Sequence, residues 1–181
     1  ALQDASGVEG LVCVTAQHRQ MLDQVLNLFE ISPDIDLDIM RPDQDLSHIT
    51  TAVLEGVGRG LDDLKPDRVL VHGDTTTTFA AALAAYYRQI PVGHVEAGLR
   101  TGNIYAPFPE EINRRLADVI TDMHFAPTEG ARDNLLREGA PAKNVFVTGN
   151  TVIDSLLHIT DKLESDEKLR SNLDAEFPFL N

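Results

Sequence analysis

The sequence predicts an α/β fold built on a doubly wound, mainly parallel, Rossmann-like sheet. Three observations carry this expectation: short valine-rich apolar runs, helical patterns between them along the whole chain, and polar or acidic residues directly after the runs. The first run, Leu11–Thr15, reads as a buried strand. A helix follows near His18–Phe29, where Met21, Leu22, Val25, Leu26 and Phe29 share a face. The next segment, PDIDLDIMRPDQD, reads as a polar, solvated connection. Its acids Asp34, Asp36 and Asp38 resemble the start of a calcium loop, but Ile39 stands where that loop needs glycine. A long helix is expected near Leu46–Leu64. It contains GVGRG at Gly56–Gly60, inside a helical pattern rather than after a strand, so no dinucleotide fingerprint is formed.

The second half continues the alternation of strand and helix, without tandem repeats. Strands are expected at Val69–His72, Val92–Val95, Met123–Ala126 and Val145–Thr148, with helices after Thr75, Glu110 and Thr128. A glycine turn and a helix opened by Asn150 or Thr151 follow the last strand. An α/β domain normally opens on a strand whose glycine-rich turn meets a phosphate, and none is visible here. The chain is therefore expected to be a piece of something longer. Residues 1–160 would form a Rossmann-like domain lacking its first strand, and 161–181 a helical segment leading to a further domain.

Composition narrows the function classes. With 181 residues, 43% of them hydrophobic, the chain has the means to bury one core. A formal net charge of −14 argues against a nucleic-acid partner, which would call for clustered Lys and Arg. The lone Cys13 makes a disulfide framework impossible and is expected in the core. No apolar run approaches a membrane span, so a cytoplasmic, globular protein without a membrane partner is expected.

The chemistry concentrates in acids that follow strands. Asp74 lies just past Val69–His72 in VHGDTTTT, and Glu96 just past Val92–Val95 in VGHVEAGLR. A helix between the two strands makes them parallel, which puts both acids at the carboxyl edge, where ligands bind in open α/β sheets. Glu110 and Glu111 open the next helix behind Pro109. Crowded acids disfavour one another's ionisation, so such a set suits proton transfer. His72, His94 and His124 fall in or beside strands, and a hydrogen-bonded structural role is expected for them rather than metal ligation.

Four stretches, VTAQHRQMLDQVLNLF, VHGDTTTTFAAALAA, IPVGHVEAGLRTGNIYAPFPEEINRR and VTGNTVIDSLL, closely resemble the non-hydrolysing UDP-N-acetylglucosamine 2-epimerases, in order, over essentially the whole chain. The resemblance implies the amino-terminal half of a two-domain enzyme of the GT-B type, a homodimer when full length. It implies reversible interconversion of UDP-GlcNAc and UDP-ManNAc for cell-envelope polysaccharide synthesis, without a nicotinamide or other cofactor. Asp74, Glu96 and Glu110 match the family's active-site carboxylates, with Asp74 and Glu96 also binding substrate; Glu111 does not match. Gln17, His18 and Gln20 match positions of an effector site for a second UDP-GlcNAc. Three alternatives stay open: a 2-epimerase of a modified UDP-acetamido sugar, a GT-B glycosyltransferase, and a non-catalytic sugar-nucleotide-binding module.

Overall fold

The computed structural model describes residues 5–16 and 19–178. Two parallel sheets organise the first part of the chain. The smaller pairs β1 (Cys13–Val14) with β2 (Ile35–Asp36), aligning Cys13 with Ile35 and Val14 with Asp36. Helix α1 (Arg19–Leu28) connects them.

Strand β2 corrects the expected solvated connection. In DIDLDI, Ile35, Leu37 and Ile39 alternate with aspartates, the period of a strand that buries one face. The acids are exposed, as expected, but engaged. Asp34 accepts from the Val12 amide at 2.7 Å, and Asp36 and Asp38 accept from the Arg19 guanidinium at 2.7 and 2.9 Å. Cys13 is also corrected. It is exposed, because its neighbour Val14 takes the inward position on β1.

Helix α2 (Leu46–Leu64) matches its expected bounds. Asp45 caps it by accepting from the His48 amide at 2.7 Å. The glycines of GVGRG are packing positions. A methyl group on Gly60 would stand 2.6 Å from Ile35 Cδ1, and one on Gly56 would stand 2.8 Å from Leu37 Cδ1. Only hydrogen at these positions lets the helix lie this close to β2 and its continuation.

The larger sheet has the order β3 (Val69–His72), β4 (Val92–Val95), β5 (Met123–Ala126), β6 (Val145–Val147), all parallel. Its register places Val71 beside His94, His94 beside His124, and His124 beside Val145. Paired residues share a face, so the two histidines lie in one row with two valines. Helices α3 (Thr76–Tyr86), α4 (Glu110–Ile120) and α5 (Glu129–Arg137) connect these strands, and α3 packs between α2 and α4. One core cluster joins Val53, Val57, Val71, Ala82 and Val92; another joins Ala97, Ala126, Leu135 and Val145.

Strands β1 and β3 belong to separate sheets. An opening of about 340 Å³ is lined by Leu11, Cys13 and Thr15 together with Leu70 and His72. Helices α6 (Thr151–Ser165) and α7 (Glu167–Glu176) form a second compact unit that begins at Thr148. Asn150 caps α6 through the Val152 amide at 2.9 Å, and Asp166 separates the two helices by capping α7.

Candidate active site

The carboxyl end of β3 runs into Gly73 and Asp74, and α3 begins two residues later. Thr75 is its N-cap, accepting from the Thr78 amide at 3.3 Å. The Thr78 hydroxyl donates back to the His72 carbonyl at 2.6 Å, which ties the helix start to the strand end. Two of the four threonines thus fix the turn on which Asp74 sits. Gly73 has φ +73°, a left-handed conformation natural to glycine.

Glu96 leaves β4 in the same direction, since β3 and β4 are adjacent and parallel. It has φ +69°, a left-handed conformation that costs a side-chain-bearing residue roughly 1–2 kcal/mol. Such strain concentrates at functional sites. Its Oε2 lies 3.7 Å from His72 Nε2, and 3.5 Å from where a methyl group on Gly73 would stand. The Glu96 carboxylate therefore borders the turn that carries Asp74.

Glu110 is the first residue of α4 and is half-buried. One helical turn later comes Arg114, whose NH2 forms an ion pair with Asp74 Oδ2 at 2.7 Å. Arg114 is buried, and its Nε finds no hydrogen-bond partner among the described residues. Glu111 is fully buried. It accepts from the Thr101 and Gly102 amides at 3.1 and 3.3 Å and stands 3.7 Å from Arg114 NH1. It braces the loop before α4 and faces away from water. Of the effector candidates, Gln17 and His18 lie outside the described residues, and Gln20 is exposed in the first turn of α1.

Beneath the rim lies a buried charged network. Asp118 of α4 accepts from the Gly98 amide at 3.2 Å and from Arg100 NH2 at 2.7 Å, with His94 Nδ1 2.6 Å away. Burial alone would push the Asp118 carboxyl up. Its neighbours His124 and His94, and the Arg100 guanidinium, outweigh burial and hold it well below the usual carboxylate range. Arg100 also pairs with Glu138 at 2.7 Å. His94 Nε2 donates to the Gly73 carbonyl at 2.7 Å, which is the hydrogen-bonded role expected of this residue. His124 is equally buried, but its Nδ1 stands 3.6 Å from Asp118, beyond a hydrogen bond.

Sequence reasoning passed over Arg114, Asp118 and Arg100. A signal was present in the spacing of Glu111, Arg114 and Asp118, three charged residues on one helical face. The opposite stripe, Ile112, Leu116 and Val119, looks like the buried one and is not. Val119 is 80% exposed, whereas Asp118 is 7% exposed, so α4 turns its charged face inward.

Among the described residues no group of three or more His, Cys, Asp or Glu side chains could hold a metal ion. The site thus consists of half-buried carboxylates, one buried arginine and a hydrogen-bonded floor. Such equipment is suited to binding polar groups and moving protons.

Residues 1–180 match the family model described as UDP-N-acetylglucosamine 2-epimerase. The chain is 58% identical over 181 residues to the UDP-N-acetylglucosamine 2-epimerase of Yersinia pestis, covering 100% of this chain and 48% of that protein. Among solved structures it resembles UDP-GlcNAc 2-epimerase from Neisseria meningitidis bound to UDP-GlcNAc. There the TM-score is 0.91 at 56% identity, covering 99% of this chain and 49% of the other. The Methanocaldococcus jannaschii UDP-GlcNAc 2-epimerase in complex with UDP-GlcNAc and UDP gives a TM-score of 0.87 at 36% identity, covering 97% and 48%. The chain spans about half the length of the curated relatives it matches.

Proposed function

Because this chain belongs to the UDP-N-acetylglucosamine 2-epimerase family, we propose that the full-length protein interconverts UDP-GlcNAc and UDP-ManNAc by eliminating and re-adding UDP. The C2 hydrogen of the sugar is not next to a carbonyl, so its removal alone is unfavourable. If the C1–oxygen bond to UDP breaks as a base takes the C2 proton, the electron pair of the C–H bond becomes the C1=C2 double bond of 2-acetamidoglucal. Return of a proton to the opposite face of C2, with UDP oxygen attacking C1, gives the epimer. Atoms and charge balance without a redox cofactor.

Asp74, Glu96 and Glu110 share the base, acid and positioning duties in this reading. The observation that supports it is the Asp74–Arg114 pair at 2.7 Å, because Arg114 lies one helical turn beyond Glu110. That pair ties the turn after β3 to the helix that Glu110 opens, while Glu96 borders Gly73 from the neighbouring strand. Proton transfer by a positioned side chain contributes about 10²–10⁴-fold to rate. In the full-length protein, Asp74→Asn or Glu110→Gln is therefore expected to lower kcat by about 10²-fold or more, with UDP-ManNAc followed by NMR in D2O. A variant with near-normal turnover removes its residue from the mechanism, and a wild-type protein that makes no UDP-ManNAc removes the reaction.

The same reading makes the whole protein a cytoplasmic homodimer. No described helix is long and apolar enough to cross a membrane. The outward stripe Ile112, Leu116 and Val119 on α4 is the kind of surface that two copies cover. The opening between β1 and β3 is bordered by two strand edges that do not pair with each other, which supports a further strand of the domain at that position.

A further inference from the structure

We propose that His94 is the positioning residue that sets where the Asp74 carboxylate stands; this rests on the epimerase reading above. His94 is fully buried in the middle of β4, and each of its ring nitrogens faces an oxygen. Nδ1 meets Asp118 of α4 at 2.6 Å. Nε2 donates to the carbonyl of Gly73 at 2.7 Å, and Gly73 directly precedes Asp74.

The amide of Gly73 is held as well, donating to the Val95 carbonyl at 3.0 Å. Both peptide planes flanking Gly73 are thereby fixed, at a residue whose lack of a side chain would otherwise leave its backbone unusual freedom. The backbone of Asp74 inherits its position from the second of those planes. From α4, Arg114 then meets Oδ2 of Asp74 at 2.7 Å. Asp118 carries the same constraint to the next turn, because it also accepts from the Gly98 amide, two residues beyond Glu96. A single imidazole thus links α4 to the turn that holds Asp74, while its own partner links α4 to the turn that holds Glu96. The ring does not reach the rim, so its influence on the reaction passes through Asp74.

The two ring contacts can be separated by substitution. Glutamine places an amide nitrogen near the position of Nε2, within reach of the Gly73 carbonyl. Asparagine reaches only the position of Nδ1, facing Asp118. In the full-length protein, His94→Asn and His94→Leu are expected to lower kcat by about 10²-fold, the cost of misplacing a catalytic group by roughly 1 Å, with KM changed about twofold or less. His94→Gln is expected to recover most of that kcat. The melting temperatures of the Gln and Asn variants should agree, so that the difference in rate is not a difference in folding.

Asparagine recovering as much activity as glutamine overturns the proposal, as does normal kcat in His94→Leu or a loss that only tracks the folded fraction. Nitrogen NMR of histidine-labelled wild type tests the contact without any substitution. Nε2 of His94 must carry hydrogen at neutral pH, and an unprotonated Nε2 excludes donation to Gly73. Wild-type UDP-ManNAc formation, run alongside, separates failure of this proposal from failure of the epimerase reading.

Discussion

Glu96 shows at the residue scale how function and stability compete. It holds a left-handed backbone conformation that glycine adopts without penalty, yet the sequence places a carboxylate there. Replacing it by glycine relieves the backbone and removes the acid in one step. Glu96→Gly in the full-length protein is expected to raise the free energy of unfolding by about 0.5–1 kcal/mol in urea titrations while lowering epimerisation by about 10²-fold or more. A loss of stability would mean that the bend is set by the side chain, through neighbours such as His72, rather than tolerated by it. The acids at this rim were legible from the sequence because each sits beside a strand end or helix start. Their partners were not, because Arg114, Asp118 and His94 act through contacts between residues distant in the chain, as in Asp74–Arg114 and His94–Asp118.

Among the elements, α4 departs furthest from pattern reasoning. An amphipathic helix normally buries its apolar stripe, and α4 instead buries Glu111, Arg114 and Asp118. Each buried charge has a task on a different turn: Glu111 on Thr101 and Gly102, Arg114 on Asp74, and Asp118 on His94 and Gly98. The helix works as a bar to which the rim turns are fastened. Its apolar stripe is left facing outward. If this stripe is the interface of the proposed homodimer, Val119→Asp in the full-length protein is expected to shift the species seen by light scattering from dimer to monomer, since a charge in an apolar interface is left unpaired. A dimer of unchanged stability would place the interface elsewhere. The strand β2 was legible in principle from the alternation of DIDLDI, but its acids drew the reading towards a solvated loop. What makes it a strand is the edge of β1, which supplies the ladder, and Arg19, which neutralises Asp36 and Asp38.

On the scale of the whole molecule, about half of the family's length is represented. Large apolar side chains remain exposed in both compact units: Leu70 and Phe146 on the larger sheet, and Val152, Ile153, Leu156 and Leu157 on α6. In the proposed full-length protein, surface of this kind is expected to lie against other parts of the fold. Residues 1–181 alone are accordingly expected to show no epimerase turnover, to bind UDP weakly, and to self-associate in size-exclusion chromatography. The full-length protein should elute at a discrete mass. Rapid turnover by residues 1–181 would mean that this half contains the whole reaction centre.

The order of residues alone was enough for the α/β class, the bounds of β3, β4, β5 and α2, and the acids at the strand ends. These depend on local periodicity and on the residues that adjoin each strand, and both are written in consecutive positions. Contacts across the fold set which face of α4 is inside, let two glycines of GVGRG admit β2 and its continuation, and bring His94 to the turn before Asp74. Those outcomes depend on which side chains meet across the fold. A buried charge is favourable only when its partner is already in place, and no single stretch of chain carries that information.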